Sequence, residues 1–333
     1  MGRKKITDIS NQNSLVPIDD TVSELFALDN TREKKRQIAY IPSFFTTASL
    51  PFKNMHKTVF VRKGSNGLTL TLTSPKNVPF GKYGRLLLSI LTTHAVISKN
   101  KEGPILLEYA SLSDLLKELQ LPKQRGKDIR EQIECFSNAA FVFEQRIEEQ
   151  LQGHLFKDLY EEGEKLPKGD VKVRTVTTGN IRFTTGVQYK EVEPDSKESA
   201  VGRFKILLSD EFAAFCQKHS VPIDYDIYKE ISSPIGKDLY AWLVYRNNAD
   251  FKQVFIKRQQ LVDQFIPVED GKDPNLVNVN YARIVELLKE IKAKYYKEVK
   301  FEIEKGGTGI TLYKSPTPVL KKDPRYALIT SDL

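Results

Sequence analysis

Four histidines, two cysteines and the spaced aspartates Asp224 and Asp226 are candidate groups in this 333-residue chain for acid–base, nucleophilic or metal chemistry. His56, His94, His154 and His219 stand far apart, so no single strand or helix can present two of them to one metal ion. His94 falls on an apolar helical face, where a core residue with satisfied ring nitrogens is expected. Cys135 and Cys216 each sit in an apolar helical pattern. One pair of thiols can make neither a disulfide framework nor a cysteine metal site, and both read as buried. Asp224-Tyr225-Asp226 has the spacing with which paired carboxylates hold metal ions against phosphate in nucleotidyl transfer. It also follows Pro222 and precedes an apolar helical pattern, where a helix cap is the plainer use of it. No glycine-rich segment ending in Gly-Lys-Ser or Gly-Lys-Thr follows a strand, which removes the phosphate cradle of a nucleotide hydrolase. Gly306-Gly307-Thr308-Gly309 has strand patterns on both sides and reads as a turn tip. The expectation is a chain that is not an enzyme and needs no cofactor and no metal.

The remaining chemistry is cationic. Lys plus Arg outnumber Asp plus Glu by 51 to 43, a formal charge of +8 that suits a polyanionic partner. The distribution says more than the sum. Lys165, Lys168, Lys172, Arg174, Arg182 and Lys190 face one acid, Asp170, over residues 165–190, whereas residues 144–164 hold seven acids against Arg146 and Lys157. Such alternation fits a protein with one side toward phosphate and another toward solvent. No run of about 18 apolar residues exists to span a bilayer, and Met1-Gly2-Arg3-Lys4-Lys5 is followed by polar residues instead of an export signal. The sequence is therefore expected to act in the cytoplasm, away from any membrane.

Elements able to position these cations follow a recurring order. Residues 1–37 carry one short helical pattern, Val22 to Leu28, between polar flanks and read as a flexible arm. Alternation through Thr58-Val59-Phe60-Val61 and Leu68 to Thr73, around Gly64-Ser65-Asn66-Gly67, signals a hairpin. An apolar helical face of Leu87, Ile90, Leu91, His94 and Ala95 comes next, then a strand at Pro104–Tyr109. A helix capped at Ser111-Leu112-Ser113-Asp114 runs to Leu119, Pro122 to Gly126 turns, and a second helix from near Lys127 buries Ile129, Ile133, Phe136 and Ala140. A basic hairpin of Val171–Thr177 and Asn180–Tyr189, joined at Gly179-Asn180, completes the order of a winged helix-turn-helix, with Arg203–Leu208 as a third strand. The order recurs in a helix at Asp238–Tyr245, a strand at Gln253–Ile256, a short helix at Lys257–Phe265, a long helix opened by Asn278, and a hairpin at Val299–Glu304 and Gly309–Tyr313. The fold expected is α+β, two tandem winged-helix domains: 38–217 with its N-terminal hairpin and 218–318, followed by a tail, 319–333.

In a helix-turn-helix the second helix enters the major groove and its exposed side chains meet bases and phosphates. In the first unit that set is Lys123, Gln124, Arg125, Lys127 and Arg130, with Lys172, Arg174 and Arg182 on the wing. In the second it is Asn278, Asn280 and Arg283, with Lys257 and Arg258 at the start of the short helix and Lys305 at the wing tip. Arg, Gln and Asn suit reading of base edges, and Lys suits phosphate.

Two blocks, Pro79-Phe80-Gly81-Lys82-Tyr83-Gly84-Arg85-Leu86-Leu87-Leu88 and Ser232-Ser233-Pro234 through Asp238-Leu239-Tyr240-Ala241-Trp242-Leu243-Val244-Tyr245-Arg246, resemble signatures of the RepA-type plasmid replication initiators. Phe204 to Phe212 and Val221-Pro222-Ile223-Asp224 are similar to that family as well, in the same order, so that the resemblance covers roughly residues 77–265. It implies a protein that binds repeated sites in double-stranded origin DNA, promotes local opening of the adjacent duplex, and recruits a host initiator and the replicative helicase. It leaves a homodimer open. Two other readings stand beside it: a transcriptional regulator on the same fold, and a metal-dependent nucleotidyl-transfer enzyme using Asp224 and Asp226.

Overall fold

The computed structural model describes residues 36–64, 67–99, 103–152, 170–188, 204–249, 251–268, 273, 275–319 and 326–328. The pattern at Val22–Leu28, His154, Lys165, Lys168 and Lys190 lie outside the described residues. The chain is a mixture of helix and sheet. It enters at β1 (Arg36–Pro42) and α1 (Ser43–Thr47), the latter burying Phe44 and Phe45. The expected hairpin follows as β2 (Val59–Lys63) and β3 (Leu68–Thr73), in antiparallel register from Val59 opposite Thr73 to Lys63 opposite Thr69. Strict Leu-Thr alternation places Leu68, Leu70 and Leu72 in the core and the threonines on the other face.

Helix α2 (Gly81–Ile97) is buried on nearly every side from Gly84 to Thr93, as a helix at the centre of a protein must be. Its polar residues spend themselves on its own backbone: Ser89, Thr92 and Thr93 donate to the carbonyls of Leu86, Leu88 and Ser89 at 2.7, 2.7 and 2.6 Å. After β4 (Ile105–Tyr109) come α3 (Leu112–Glu118), a single 3₁₀ turn at Lys123–Arg125, and α4 (Gly126–Ser137). Ile129, Ile133 and Phe136 are buried as expected, but Ala140 belongs to the next strand.

That next segment corrects the reading of the first wing. Strand β5 (Ala140–Gln152) occupies the start of the acidic stretch and pairs along its whole length with β6 (Asp170–Arg182), which runs straight through Gly179-Asn180 without turning. Gly179 lies opposite Phe143, and a Cβ there would stand 2.4 Å from the Phe143 ring. The glycine makes room for a ring across the ladder and does not bend the chain. Residues 184–188 form a separate strand, β7 (Thr184–Gln188), which pairs with β8 (Phe204–Leu208), and β8 pairs in turn with β4. Strand β8 is therefore the central strand of a second sheet, ordered β4-β8-β7, while β5 and β6 belong to the sheet β2-β3-β5-β6.

Helix α5 (Asp210–Lys218) leads to β9 (Ser220–Asp224), α6 (Tyr225–Glu230) and α7 (Pro234–Asn248). Pro234 fits the first turn of α7 because it needs no N–H donor there, and the Ser233 hydroxyl accepts from Gly236 N at 3.2 Å. Beyond α7 stand β10 (Gln253–Lys257), α8 (Arg258–Phe265), α9 (Leu276–Lys294), β11 (Lys300–Ile303) and β12 (Gly309–Tyr313). The last three strands in sheet order are β10-β12-β11, and a short β13 (Tyr326–Leu328) lies parallel to β1. Helix α9 begins two residues before Asn278.

The position where a domain boundary is expected, 217/218, falls just ahead of β9, and β9 pairs antiparallel with β1 from Ile38–Asp224 to Pro42–Ser220. One continuous hydrophobic cluster joins Leu87, Ile90 and Phe141 to Leu239, Trp242 and Ile284. At its centre Arg85 on α2 meets Asp238 on α7 through two 2.7 Å contacts. Its other N–H groups reach the carbonyls of Leu50, Pro51 and Gly81 at 2.6, 3.0 and 2.9 Å, so all five guanidinium donors are used.

Candidate nucleic-acid interface

The first helix pair is set by backbone chemistry. Helix α3 ends when Gln120 takes a left-handed conformation, φ 51°, which lets Gln120 N reach Lys117 O at 2.9 Å and Leu121 N reach Leu116 O at 2.8 Å. These two bonds satisfy the last carbonyls and turn the chain away. Pro122 then starts the 3₁₀ turn, whose Lys123, Gln124 and Arg125 are all exposed. Because Ile129 and Ile133 face the core, Lys127 and Arg130 face outward on α4. Arg125 contacts Asp128 at 3.4 Å, an exposed pair of little energetic weight. Its guanidinium carbon lies 5.8 Å from the Tyr83 ring centre, and Lys82 Nζ lies 5.0 Å from the same ring. Lys82 and Tyr83 were absent from the expected set although they stand in the block Phe80 to Arg85, next to the signature arginine. Asp128, Glu131 and Glu134 share α4, so its positive character is concentrated at its N-terminal end.

The wing residues are differently placed from the expectation. Lys172 and Arg174 lie on β6, at register positions opposite Gln150 and Glu148 of the acidic strand. Arg182 is exposed at the end of β6, opposite Ala140.

In the second half α8, a loop and α9 repeat the arrangement. Asn278 and Arg283 are exposed on α9. Asn280 is half-buried and donates through Nδ2 to the Ile266 carbonyl at 2.8 Å, so this amide is engaged within the protein and not turned outward as expected. Lys257, Arg258 and Lys305 converge at one corner. Lys257 pairs with Gly309 in the β10-β12 ladder, Arg258 N donates to Thr308 O at 2.8 Å, and Lys305 opens the turn Lys305–Gly307 beside them. Tyr281 bolts α9 to this corner by donating its hydroxyl to Gly309 O at 2.7 Å.

The candidate catalytic groups are committed to structure. Asp224 is buried, accepts from Ile227 N at 3.1 Å as the cap of α6, and pairs with Arg36 at 3.2 Å. Asp226 accepts from Gln37 N at 2.9 Å. Among the described residues no group of three or more His, Cys, Asp or Glu could hold a metal ion. His94 Nε2 lies 2.7 Å from Glu118, which also accepts from the Tyr109 hydroxyl at 2.6 Å, the satisfied core arrangement expected of that histidine. Both cysteines are buried and free, and burial raises the Cys135 thiol to about 12. No helix among the described residues is long and apolar enough to cross a membrane.

No curated protein matches the chain. Among solved structures it is similar to domains 2 and 3 of RctB, with 13% identity and a TM-score of 0.46 over 82% of this chain and 96% of that one. A second crystal structure of RctB domains 2–3 gives 12% and 0.42 over 81% and 96%. The Pi initiator protein in complex with iteron DNA gives 14% and 0.44 over 85% of this chain and 98% of that one. The family described as plasmid encoded RepA protein matches residues 78–253, more than half of the sequence and nearly the stretch that the blocks at Pro79 and Ser232 span, and the chain belongs to that family.

Proposed function

We propose that this protein is a plasmid replication initiator, working in the cytoplasm, that binds repeated sites in origin duplex DNA through two winged-helix units. The first unit uses α4 with the β5–β6 wing, the second α9 with the β11–β12 wing. Opening of the adjacent duplex and recruitment of a host initiator and the replicative helicase follow from the family reading. The observation that carries the proposal is the recurrence, within one family member, of helix, turn, helix and two-stranded hairpin, with exposed Arg, Lys, Gln or Asn beside the second helix each time. In this reading Arg125 and Arg130, with Arg283 in the second unit, read bases, and Lys172 and Arg174 track phosphates.

Quantitative DNA binding tests it. If about six phosphates are neutralised, log affinity falls with log salt at a slope of about −5. Arg125→Ala and Arg130→Ala relax sequence preference, Arg283→Ala costs about 1 to 3 kcal/mol at the specific site, and Lys172→Ala or Arg174→Ala weakens all sites alike. A salt slope of zero removes the DNA reading. Footprinting upstream of the gene separates an initiator, which protects tandem direct repeats, from a regulator, which protects a lone inverted repeat.

A further inference from the structure

Strand β2 stands at the end of the sheet β2-β3-β5-β6, so one side of its backbone has no strand beside it among the described residues. Ser74 N donates to Thr58 O at 2.8 Å and Gly64 N to Leu68 O at 2.7 Å, which fixes the alternation of the ladder. Residues 58, 60, 62 and 64 turn their N–H and C=O groups toward β3, and Val59, Val61 and Lys63 turn theirs the other way. Exposed edges are usually blunted by charge, proline or a bulge, because they template pairing with another chain. Here Val59 and Val61 are 50% and 54% exposed, and the pairing with β3 runs from Val59 to Lys63 without a register shift.

A cavity of about 870 Å³ runs along this edge. Val59, Phe60, Val61 and Arg62 all line it, whereas successive side chains of a strand alternate between two faces. Four consecutive residues meet one cavity where that cavity follows the strand's edge. Its far wall is Ile266, just past the end of α8, with Leu276 and Asn280 of α9, the last held by its 2.8 Å bond to the Ile266 carbonyl. A free strand edge facing a helix across an apolar cleft suits an extended peptide, which supplies the missing side of the ladder. Charge says which peptide. Lys53, Lys57 and Lys63 are exposed, residues 51–63 include no acid, and none lines the cavity among the described residues. We propose that this cleft takes an extended segment of a partner protein, added to β2 as a further strand of the sheet, with apolar residues at alternate positions against Val59 and Val61 and acidic residues at its ends against Lys57 and Lys63. A second copy of this chain is the wrong occupant, since its β2 brings the same lysines and lies in a cleft of its own. The proposal is independent of the DNA reading.

The test is fluorescence anisotropy of the full chain with a labelled peptide, Glu-Val-Thr-Val-Thr-Val-Glu. Saturable binding is expected, at least tenfold weaker when both Glu are replaced by Lys. Methylating one alternate set of peptide nitrogens is expected to weaken it at least tenfold and methylating the other set much less, because only one set faces β2. Val61→Pro removes an outward N–H that β3 does not use, a place where an edge strand tolerates proline. It is expected to melt as the wild type does and to lose the peptide at least tenfold. Leu276→Trp, which narrows the cleft from the helix side, is expected to lose it as well. Where Val61→Pro melts lower, Leu276→Trp and the methylated peptides decide. Absence of saturable binding by the wild type, equal binding of the acidic and Lys-ended peptides or of the two methylated peptides, or unchanged binding in either variant overturns the proposal. So does a wild-type dimer in sedimentation that Val61→Pro turns into a monomer, which would make the edge an interface between copies of this chain.

Discussion

Lys237 sits at the first turn of α7, fully buried, with its amine donating to the carbonyls of Tyr228 and Lys229 and lying 4.8 Å from the Tyr228 ring centre. Burial is the main force on it, with the charges of Arg85, Lys82 and Lys229 opposing protonation and Asp238 favouring it, and its pKa is lowered from 10.5 to about 7. The unfolded chain therefore binds a proton here that the folded chain releases, between about pH 7 and the ordinary lysine value. Stability from this residue rises with pH through that window. Buried Cys135 and Cys216 act in the opposite sense above about pH 8.5, since their thiols ionise more readily once exposed. The informative quantity is thus a difference: the urea midpoint of wild type minus that of Lys237→Met should increase from pH 7 to pH 9. A difference that is flat across that range would show that Lys237 keeps its proton in the fold. Nothing in the sequence around Ile235-Gly236-Lys237 distinguishes this lysine from a solvated one, because its burial comes from how the preceding helix α6 folds back on it and from α2, an element far earlier in the chain. Asp224 was legible for the opposite reason, its cap partner Ile227 being three residues away.

At the scale of elements, two glycines outside tight turns report how strands are packed. A Cβ at Gly309 would stand 2.2 Å from the Ile256 carbonyl oxygen and 2.8 Å from the Phe255 ring, and a backbone oxygen in a ladder cannot step aside. Gly309→Ala must push β12 off β10, which also moves the Tyr281 hydrogen-bond acceptor. A loss of about 1 to 3 kcal/mol is expected from such overpacking, read as a lower denaturant midpoint. Gly186→Ala in β7, where nothing lies within 4 Å, should be close to neutral. Equal effects of the two substitutions would refute the packing account. Gly179 teaches the same lesson about reading sequence. Gly-Asn is a turn signal when only local geometry is considered, but its use here is set by Phe143, a residue 36 positions earlier by the numbering, through cross-strand pairing. The Leu-Thr strand β3 was legible from its strict alternation, and the helix at Arg85 and the Asp238–Tyr245 helix from their long, largely apolar runs. The β5–β6 ladder was not, because an acidic strand carries no apolar alternation to betray it.

For the whole molecule the question is whether two units of similar order behave as two domains. The structure places the second unit's β9 against the first unit's β1, and α7 against α1 and α2, around the Arg85–Asp238 pair. Trp242, the only tryptophan, is fully buried in α7 and packs edge-on against Phe265 at 5.5 Å. Its fluorescence therefore reports the element that both halves share, while far-UV circular dichroism reports all helices and strands. Tandem domains with separate cores would give two transitions, and chains of this length often do. A shared core predicts one. Urea unfolding followed by both signals should give coincident curves, and a chain ended after residue 225 should show no cooperative transition. It would lose Asp238 and leave Arg85 as an unpaired charge, a change that typically costs about 3 to 5 kcal/mol before the lost apolar contacts of Leu239 and Trp242 are counted. Curves that separate, or a truncated chain that unfolds cooperatively, would mean that each unit carries its own stability. The coupling bears on the proposed DNA-binding mode, in which α4 and α9 would enter successive major grooves about 34 Å apart, because that mode needs a fixed spacing and hence one core between them.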